Sequence, residues 1–428
     1  MFKMLYGVSD VKEIKRIFKN SLYLFSVQGV NYLLTFLTIP YLVRIIGIDN
    51  FGVIAFATSI MAYFILIIDY GFNLSATRQI SINASDVISQ NKIYTSITFI
   101  KLILSIVCLS IIILLICSFD KFYEYKVIYI YATICAMCQV LYTNWLYQGH
   151  EDMKFMSVIN ILSRILYVIA IFCLIKTKDD FVYILLINAI SLMVFGIISQ
   201  IIIRKKYNIK FVNCNIKDIR KQLTEGWYVF YSSVSSSLYT TSATFILGMN
   251  SSYTTVGYFS AADKIIQATK GIYFPISQAF YPFFSRAFIE NPDQAIKYYK
   301  INVLFSATLM FSISVLIFIF SKNIVGLIYG NDFNETVHIL QIMAFIPVVV
   351  TISNVFGVQG LLASGNKKIF SKIIGFASVF GVTSIIILSY FFSGYGTGIA
   401  VAITETIISI IFIYSFLIYF KKGKICKQ

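Results

Sequence analysis

The chain has 428 residues, 58% of them apolar and only 13% charged, with a mean hydropathy of +0.80. A soluble protein of this length needs a far more charged surface, so the composition excludes an ordinary globular domain and points to a polytopic membrane protein. The formal net charge of +16 would suggest nucleic acid in a soluble chain; here the cations sit in a few connectors, where they face an anionic membrane surface, and no nucleic-acid partner is expected.

Residues 9–20, SDVKEIKRIFKN, open the chain order. Val11, Ile14 and Phe18 share one helical face and Lys12, Lys15, Arg16 and Lys19 the other, the pattern of an interfacial amphipathic helix. The first apolar run begins near residue 21 with no small-residue cleavage site after it, which argues against a signal peptide. Twelve runs long enough to span a bilayer follow, near 21–43, 50–68, 94–117, 123–146, 157–175, 181–203, 226–248, 254–284, 299–320, 338–362, 368–391 and 397–420. The longest connectors, about 69–93 and 204–225, leave no room for a soluble domain.

With the N-terminus and every second connector on one side, nearly all connector cations fall on that side. Only Arg44, Lys121, Lys126, Lys176, Lys178 and Lys322 fall on the other. This alternation predicts twelve transmembrane helices with both termini cytoplasmic. The predicted organisation is a bundle over 1–203 with its amphipathic leader, a basic cytoplasmic connector over 204–225, and a second bundle over 226–428. Five of the seven cysteines, Cys108, Cys117, Cys135, Cys138 and Cys173, lie in apolar runs and read as small packing residues.

The halves repeat. RIIGIDNFGVIAFATSI (44–60) aligns with FILGMNSSYTTVGYFSAADKI (245–265), matching Gly52 to Gly257, and Gln148-Gly149 matches Gln359-Gly360 at the end of each fourth span. An even number of spans per half makes these parallel repeats, which predicts two six-helix bundles around a central cavity.

The eighth span carries AADKIIQATKGIYFP (261–275). Asp263, Gln267 and Lys270 share one helical face and Lys264 lies beside it. Each charge costs roughly 2.5–3.5 kcal/mol at mid-membrane on insertion scales. Asp263 and Lys270 are about 10 Å apart along the axis, too far for a direct pair. A partner on another helix is one reading; a water-filled, positively charged cavity is the other. Arg164 sits mid-run in the fifth span beside Asn160 and Tyr167, with no acid at helical spacing. Lys101 lies close enough to the end of the third span to snorkel to the surface. Glu405 in the last span is either paired across the bundle or a protonatable coupling site.

Gln28, Asn31, Thr35 and Thr38 line one face of the first span, and its counterpart in the second half carries Ser232, Ser233, Ser235, Ser236, Ser237, Thr240, Thr241, Ser242 and Thr244. Such stripes either contact a hydroxyl-rich substrate or glue helices together. Pro40, Pro275 and Pro282 are candidate flex points. His150 and His338 are the only histidines and lie in connectors on opposite sides, so no histidine-based metal site or catalytic triad is expected. GYGTG (394–398) reads as a tight loop entering the last helix.

These residues resemble the Wzx-type O-antigen and polysaccharide flippases of the MOP exporter superfamily, which includes the MATE antiporters. The resemblance rests on NYLLTFLTIPYLVRIIG followed by NFG, on IDYGFNLSATRQIS (68–81), on WLYQGHEDMKFM, on AADKIIQATKGIYFPISQAFYP and on GYGTGIAVAITE. It implies alternating access that moves an undecaprenyl-diphosphate-linked oligosaccharide, an O-antigen or capsule repeat unit, between leaflets of the bacterial inner membrane. It implies that Arg164, Lys264 and Lys270, with Gln267, Asn31 and Gln28, contact substrate. Asp263 and Glu405 would couple or gate, and Asp69 and Arg78 would belong to a cytoplasmic-side motif. No cofactor is implied beyond a coupling proton or sodium ion. The polymerase and chain-length proteins of the same pathway are expected partners. A MATE-like exporter of cations, which wants an acidic cavity, and a polymerase or ligase, which wants a sizeable periplasmic loop, are the alternatives.

Overall fold

A computed structural model describes the backbone of residues 8–421 except 84, 291, 331 and 332. Side chains are described over the same range except 8–25, 235, 236, 239, 240, 275, 279, 282, 286, 289, 290, 292, 293, 420 and 421. The described chain is helical and contains no strand. Seven helical stretches among the described residues are long and apolar enough to cross a membrane. Residues 253–274 do not qualify, because every 18-residue window there holds Asp263, Lys264 and Lys270.

The first helix, α1 (Val8–Asp69), has 62 residues, about 93 Å at 1.5 Å per residue, which is three times the thickness of a bilayer core. It is broken at Gly47, whose φ of 78° and ψ of 169° leave helical space, a conformation glycine adopts at no steric cost. Pro40, expected to kink the run, is absorbed into the helix. The side chains of the predicted amphipathic segment 9–20, like those of Pro275 and Pro282, lie outside the described residues.

The 69–93 connector is not a simple loop. It contains α2 (Phe72–Ile82), whose Phe72, Ala76 and Ile80 recur every four residues and are fully buried. Two consecutive left-handed residues, Tyr70 (φ 42°) and Gly71 (φ 75°), turn the chain out of α1 into α2. A Cβ on Gly71 would stand 2.7 Å from the Phe230 amide nitrogen, so the turn requires glycine for space as well as for φ. Next comes α3 (Val87–Ser118). Asp86 caps it, accepting from the Ser89 hydroxyl and from the amides of Ser89 and Ile88. Those bonds hold its carboxyl below the ordinary value.

The remaining helices are α4 (Asp120–Glu124), α5 (Lys126–Cys138), α6 (Asn144–Gly149), α7 (Met153–Leu174), α8 (Tyr183–Tyr207), α9 (Ile216–Asn250), α10 (Tyr253–Glu290), α11 (Pro292–Ile319), α12 (Ser321–Ile328), α13 (Asn334–Met343), α14 (Ile346–Asn354), a π-helical segment (Val355–Leu362) and α15 (Lys367–Lys421). Two runs predicted as continuous are interrupted. The run 123–146 is divided between α5 and the start of α6, and 338–362 between α13, α14 and the π segment. Both interruptions lead to a Gln-Gly pair. α15 leaves helical geometry at Ser393 (φ 48°, ψ −126°), one residue before the GYGTG expected to form the turn. Gly396 permits it, since a Cβ there would stand 1.9 Å from the Leu388 carbonyl.

The chain divides into two compact units, residues 1–45 with 60–234 and residues 46–59 with 235–428. The core of the first gathers Phe72, Ile80, Tyr94, Trp145, Tyr147 and Ile203. That of the second gathers Tyr273, Phe284, Phe288, Tyr299, Phe412 and Phe416. Within the second unit Gly52 and Gly257 pack against each other. A Cβ on Gly52 would stand 1.8 Å from the Tyr253 carbonyl, and one on Gly257 2.4 Å from the Ile48 carbonyl. Each glycine faces the carbonyl four residues before the other, the reciprocity of a local two-fold contact.

In the first unit Lys101 is buried, 2% exposed, and its Nζ donates to Asp69 Oδ1 at 2.7 Å. It does not snorkel to the surface as its position in the run suggested. Asp69 Oδ2 also accepts from Asn73 at 3.0 Å, which ties the end of α1 to α2 and α3.

Two outcomes are expected. Gly52→Val abolishes recovery of folded protein by size-exclusion chromatography, because its side chain must displace backbone of α10. Lys101→Ala strands Asp69 and destabilises the fold by about 3 kcal/mol in thermal unfolding, and Lys101→Met with Asp69→Asn recovers most of that loss.

Candidate functional site

Three of the charged residues singled out above meet in one cavity. α10 presents Asp263, Gln267 and Lys270 from successive turns, and α15 presents Glu405, to a cavity of about 350 Å³ inside the second unit. Ser353 and Asn354 at the end of α14, Thr404 on α15 and Thr244 on α9 add hydroxyl and amide groups, and Phe259, Phe370 and Phe412 supply apolar wall. Charged groups inside an apolar helical unit are tolerated only in such a place, where water or a ligand replaces the lost hydration.

Lys270 is half-buried and, among the described residues, has no carboxylate oxygen within 4.0 Å. Asp263 Oδ1 accepts from Gln267 Nε2 at 3.3 Å, one turn along α10. Glu405 is buried, 8% exposed, on the opposite wall. The cavity therefore joins one ammonium to two carboxylates. With all three ionised its formal charge is −1, so it is a mixed-charge cavity and not the positively charged one expected from the sequence, because Asp263 and Glu405 face it together with Lys270.

The cavity is anchored from behind by buried amides. Asn302 Nδ2 donates to Gln359 Oε1 at 2.6 Å, and Gln359 Nε2 donates to the Tyr273 hydroxyl at 3.1 Å and to Asn354 Oδ1 at 3.5 Å. Ser277 adds a hydroxyl bond of 2.5 Å to the same Asn354 oxygen. These residues fix the π-helical segment, and with it Asn354, against α10 and α11. Sequence reading found Gln359 only as a repeat partner of Gln148; its unbroken apolar flanks gave no sign of the network.

The other candidates lie elsewhere. Lys264 is exposed and does not line this cavity. Arg164, in the first unit, donates from Nη2 to Thr35 Oγ1 at 3.0 Å and lies 4.9 Å from the Tyr167 ring centroid, while its Nε is buried without a hydrogen bond. No carboxylate neutralises it among the described residues. Thr35 belongs to the predicted polar stripe of α1, in which Asn31 is half-buried and Gln28 exposed. Asn160, one turn before Arg164, bonds to the Met156 carbonyl at 2.8 Å and to Asn144 at 3.5 Å. Asp69 is committed to Lys101, and Arg78 lines a different cavity of the first unit. No group of three or more metal-ligating side chains occurs among the described residues.

Comparison with known proteins agrees with this architecture. The model of a family described as "Polysaccharide biosynthesis protein" matches residues 17–288. The chain is 32% identical over 392 residues to the "Putative O-antigen transporter" of Escherichia coli (strain K12), covering 91% of this chain and 94% of that one. Among solved structures, an inward-facing multidrug resistance MATE family transporter of the MOP superfamily superposes with a TM-score of 0.74 at 14% identity, covering 91% of this chain and 95% of that one. The lipid II flippase MurJ, in an inward closed conformation, gives 0.66 at 15% identity over 93% and 87%. At those identities the structures speak for the fold alone, which is that of the MOP superfamily. The family match and the O-antigen relative carry more: this chain belongs to the polysaccharide biosynthesis protein family.

Proposed function

We propose that the chain is a transporter, not an enzyme, and that it flips a lipid-linked oligosaccharide, an undecaprenyl-diphosphate-linked O-antigen or capsule repeat unit, from the cytoplasmic to the periplasmic leaflet of the bacterial inner membrane. The observation that carries this reading is the pair of basic groups inside the helical units, Lys270 and Arg164, neither held by a carboxylate among the described residues. Cations not held in a direct ion pair are suited to a diphosphate, and the hydroxyls and amides beside them to sugars. The relative's name as an O-antigen transporter supports the same substrate class.

The finer architecture belongs to this proposal. The twelve-run pattern and its cation alternation support twelve membrane spans in two parallel six-helix bundles with both termini cytoplasmic. α1 and α15 each contribute two of these spans across their breaks at Gly47 and Ser393. Coupling follows from the mixed charge of the cavity. With Asp263 and Glu405 ionised the cavity repels a diphosphate; protonation of both makes it attractive, and capture of one sodium ion between them only cancels the repulsion. Binding of substrate and of the coupling ion then favour each other through one local charge balance. A polymerase or chain-length protein of the same pathway would receive the flipped product.

Two experiments test this reading. Lys270→Ala is expected to insert and fold normally yet to lose at least about tenfold in translocation, the scale of one charge-assisted contact, in a complementation or vesicle flipping assay; full activity removes Lys270 from substrate handling. Cysteines placed at 263 and 270 in an otherwise cysteine-free chain are expected to react with small water-soluble thiol reagents, and a failure of both to react means the cavity is dry.

A further inference from the structure

A second cavity, of about 390 Å³, lies in the first unit, walled by α2, the beginning of α3 and the first turns of α9. Its volume falls in the range of small-molecule sites, about 300–1,000 Å³. Arg78 from α2, Lys92 from α3 and Lys221 from α9 converge on it from three different helices. Among the described residues none of the three has a carboxylate oxygen within 4.0 Å. Three cations not tied up in direct ion pairs repel one another, and an anion between them reduces that repulsion.

The rest of the wall is built rather than loose. Gln79 and Gln222 exchange two amide hydrogen bonds of 2.8 and 2.9 Å, locking α2 to α9 beneath the cations. That exchange leaves each amide a second N–H. Ser96 is fully buried, lines the same wall, and its hydroxyl finds no partner among the described residues. Asp218 and Glu225 also border the cavity. A bare inorganic anion would be opposed by these carboxylates. A ligand with phosphate at one end and hydroxyls at the other satisfies both sets of groups, because a carboxylate accepts readily from a sugar hydroxyl.

We propose that this cavity docks the sugar-phosphate ester headgroup of a membrane lipid at the cytoplasmic surface, before it reaches the cavity around Lys270. The inference rests on the transport reading for its direction and on the site itself for its chemistry. Arg78, Lys92 and Lys221 grip the phosphates, while Asp218, Glu225, Ser96 and the spare amide hydrogens take the hydroxyls of the first sugar. Anionic phospholipid shares the phosphate but offers a different hydroxyl pattern, so the two sources can be told apart.

The test uses the full chain in phosphatidylcholine nanodiscs, with and without phosphatidylglycerol, and farnesyl-diphosphate-linked N-acetylglucosamine as probe. The triple variant Arg78→Ala, Lys92→Ala, Lys221→Ala is expected to weaken probe binding by about tenfold or more in both membranes. Lys300→Ala, which removes an exposed cation that lines neither cavity, is expected to keep that binding, and Arg78→Lys in place of Arg78→Ala to restore part of it. All three side chains are exposed, so thermal unfolding of the triple variant should match the parent; should it not, Lys92→Ala and Lys221→Ala are measured singly for a smaller loss of the same sign. Unchanged probe affinity in a folded variant, or no probe binding by the parent chain, overturns the docking site. So does a loss confined to retention of phosphatidylglycerol, which would assign the cavity to phospholipid. If the parent binds the probe through these residues but vesicles containing it do not flip a fluorescent analogue, the docking site stands and the transport reading falls.

Discussion

A lysine in the middle of a membrane helix stays charged only if water, a carboxylate or a ligand replaces the hydration it has lost. Lys270 meets that condition without an ion pair, and much of the second unit is arranged around the fact. α10 is too polar over 253–274 to be read as an ordinary span, yet it packs through Tyr273, Phe284 and Phe288 into the aromatic core of its unit. Its charged face opens instead on the cavity shared with Glu405. The buried amides of Gln359 and Asn302, with the half-buried Asn354, hold the opposing π-helical segment in place. An unusual hydrogen-bond pattern in the helix and a cavity at its edge thus occur together, as is common at functional sites in α-helices.

The first unit solves the same problem differently. There Lys101 is compensated completely, by Asp69 at 2.7 Å, and serves to fix α3 against the end of α1. Arg164 is compensated in part, by a threonine hydroxyl and an aromatic face, and keeps one N–H unused. A structural cation and a functional one are separated by the partner each has, not by the run in which each sits. That distinction also divides Arg78, Lys92 and Lys221, which share a cavity with Asp218 and Glu225 but form no ion pair within 4.0 Å among the described residues, from Lys206, which is held by Asp152.

The seven long apolar helical stretches were legible from hydropathy, and the charge-bearing face of α10 from residues seven apart, because both signals are local. The Gly52–Gly257 match was legible as a repeat; that the two glycines touch was not, since contact depends on how segments 205 positions apart cross. α2 escaped notice because an 11-residue helix with Phe72, Ala76 and Ile80 on its buried face is too short and too polar elsewhere to stand out from a connector. The break falls at Ser393 and not within the neighbouring glycines, while Gly396 supplies the room beside the Leu388 carbonyl that the turn needs. The partner of Lys101 could not be read: Asp69 lies 32 residues away on another helix. Pairing across helices is what turns a list of intramembrane charges into a site, and it is carried by packing.

The most direct test of the central claim is an experimental structure of the chain in a lipid nanodisc with undecaprenyl diphosphate added. The account predicts phosphate density within hydrogen-bonding reach of Lys270 Nζ, with the ammonium still apart from Asp263 and Glu405. An ammonium closed onto either carboxylate, with no density and no water beside it, would contradict it.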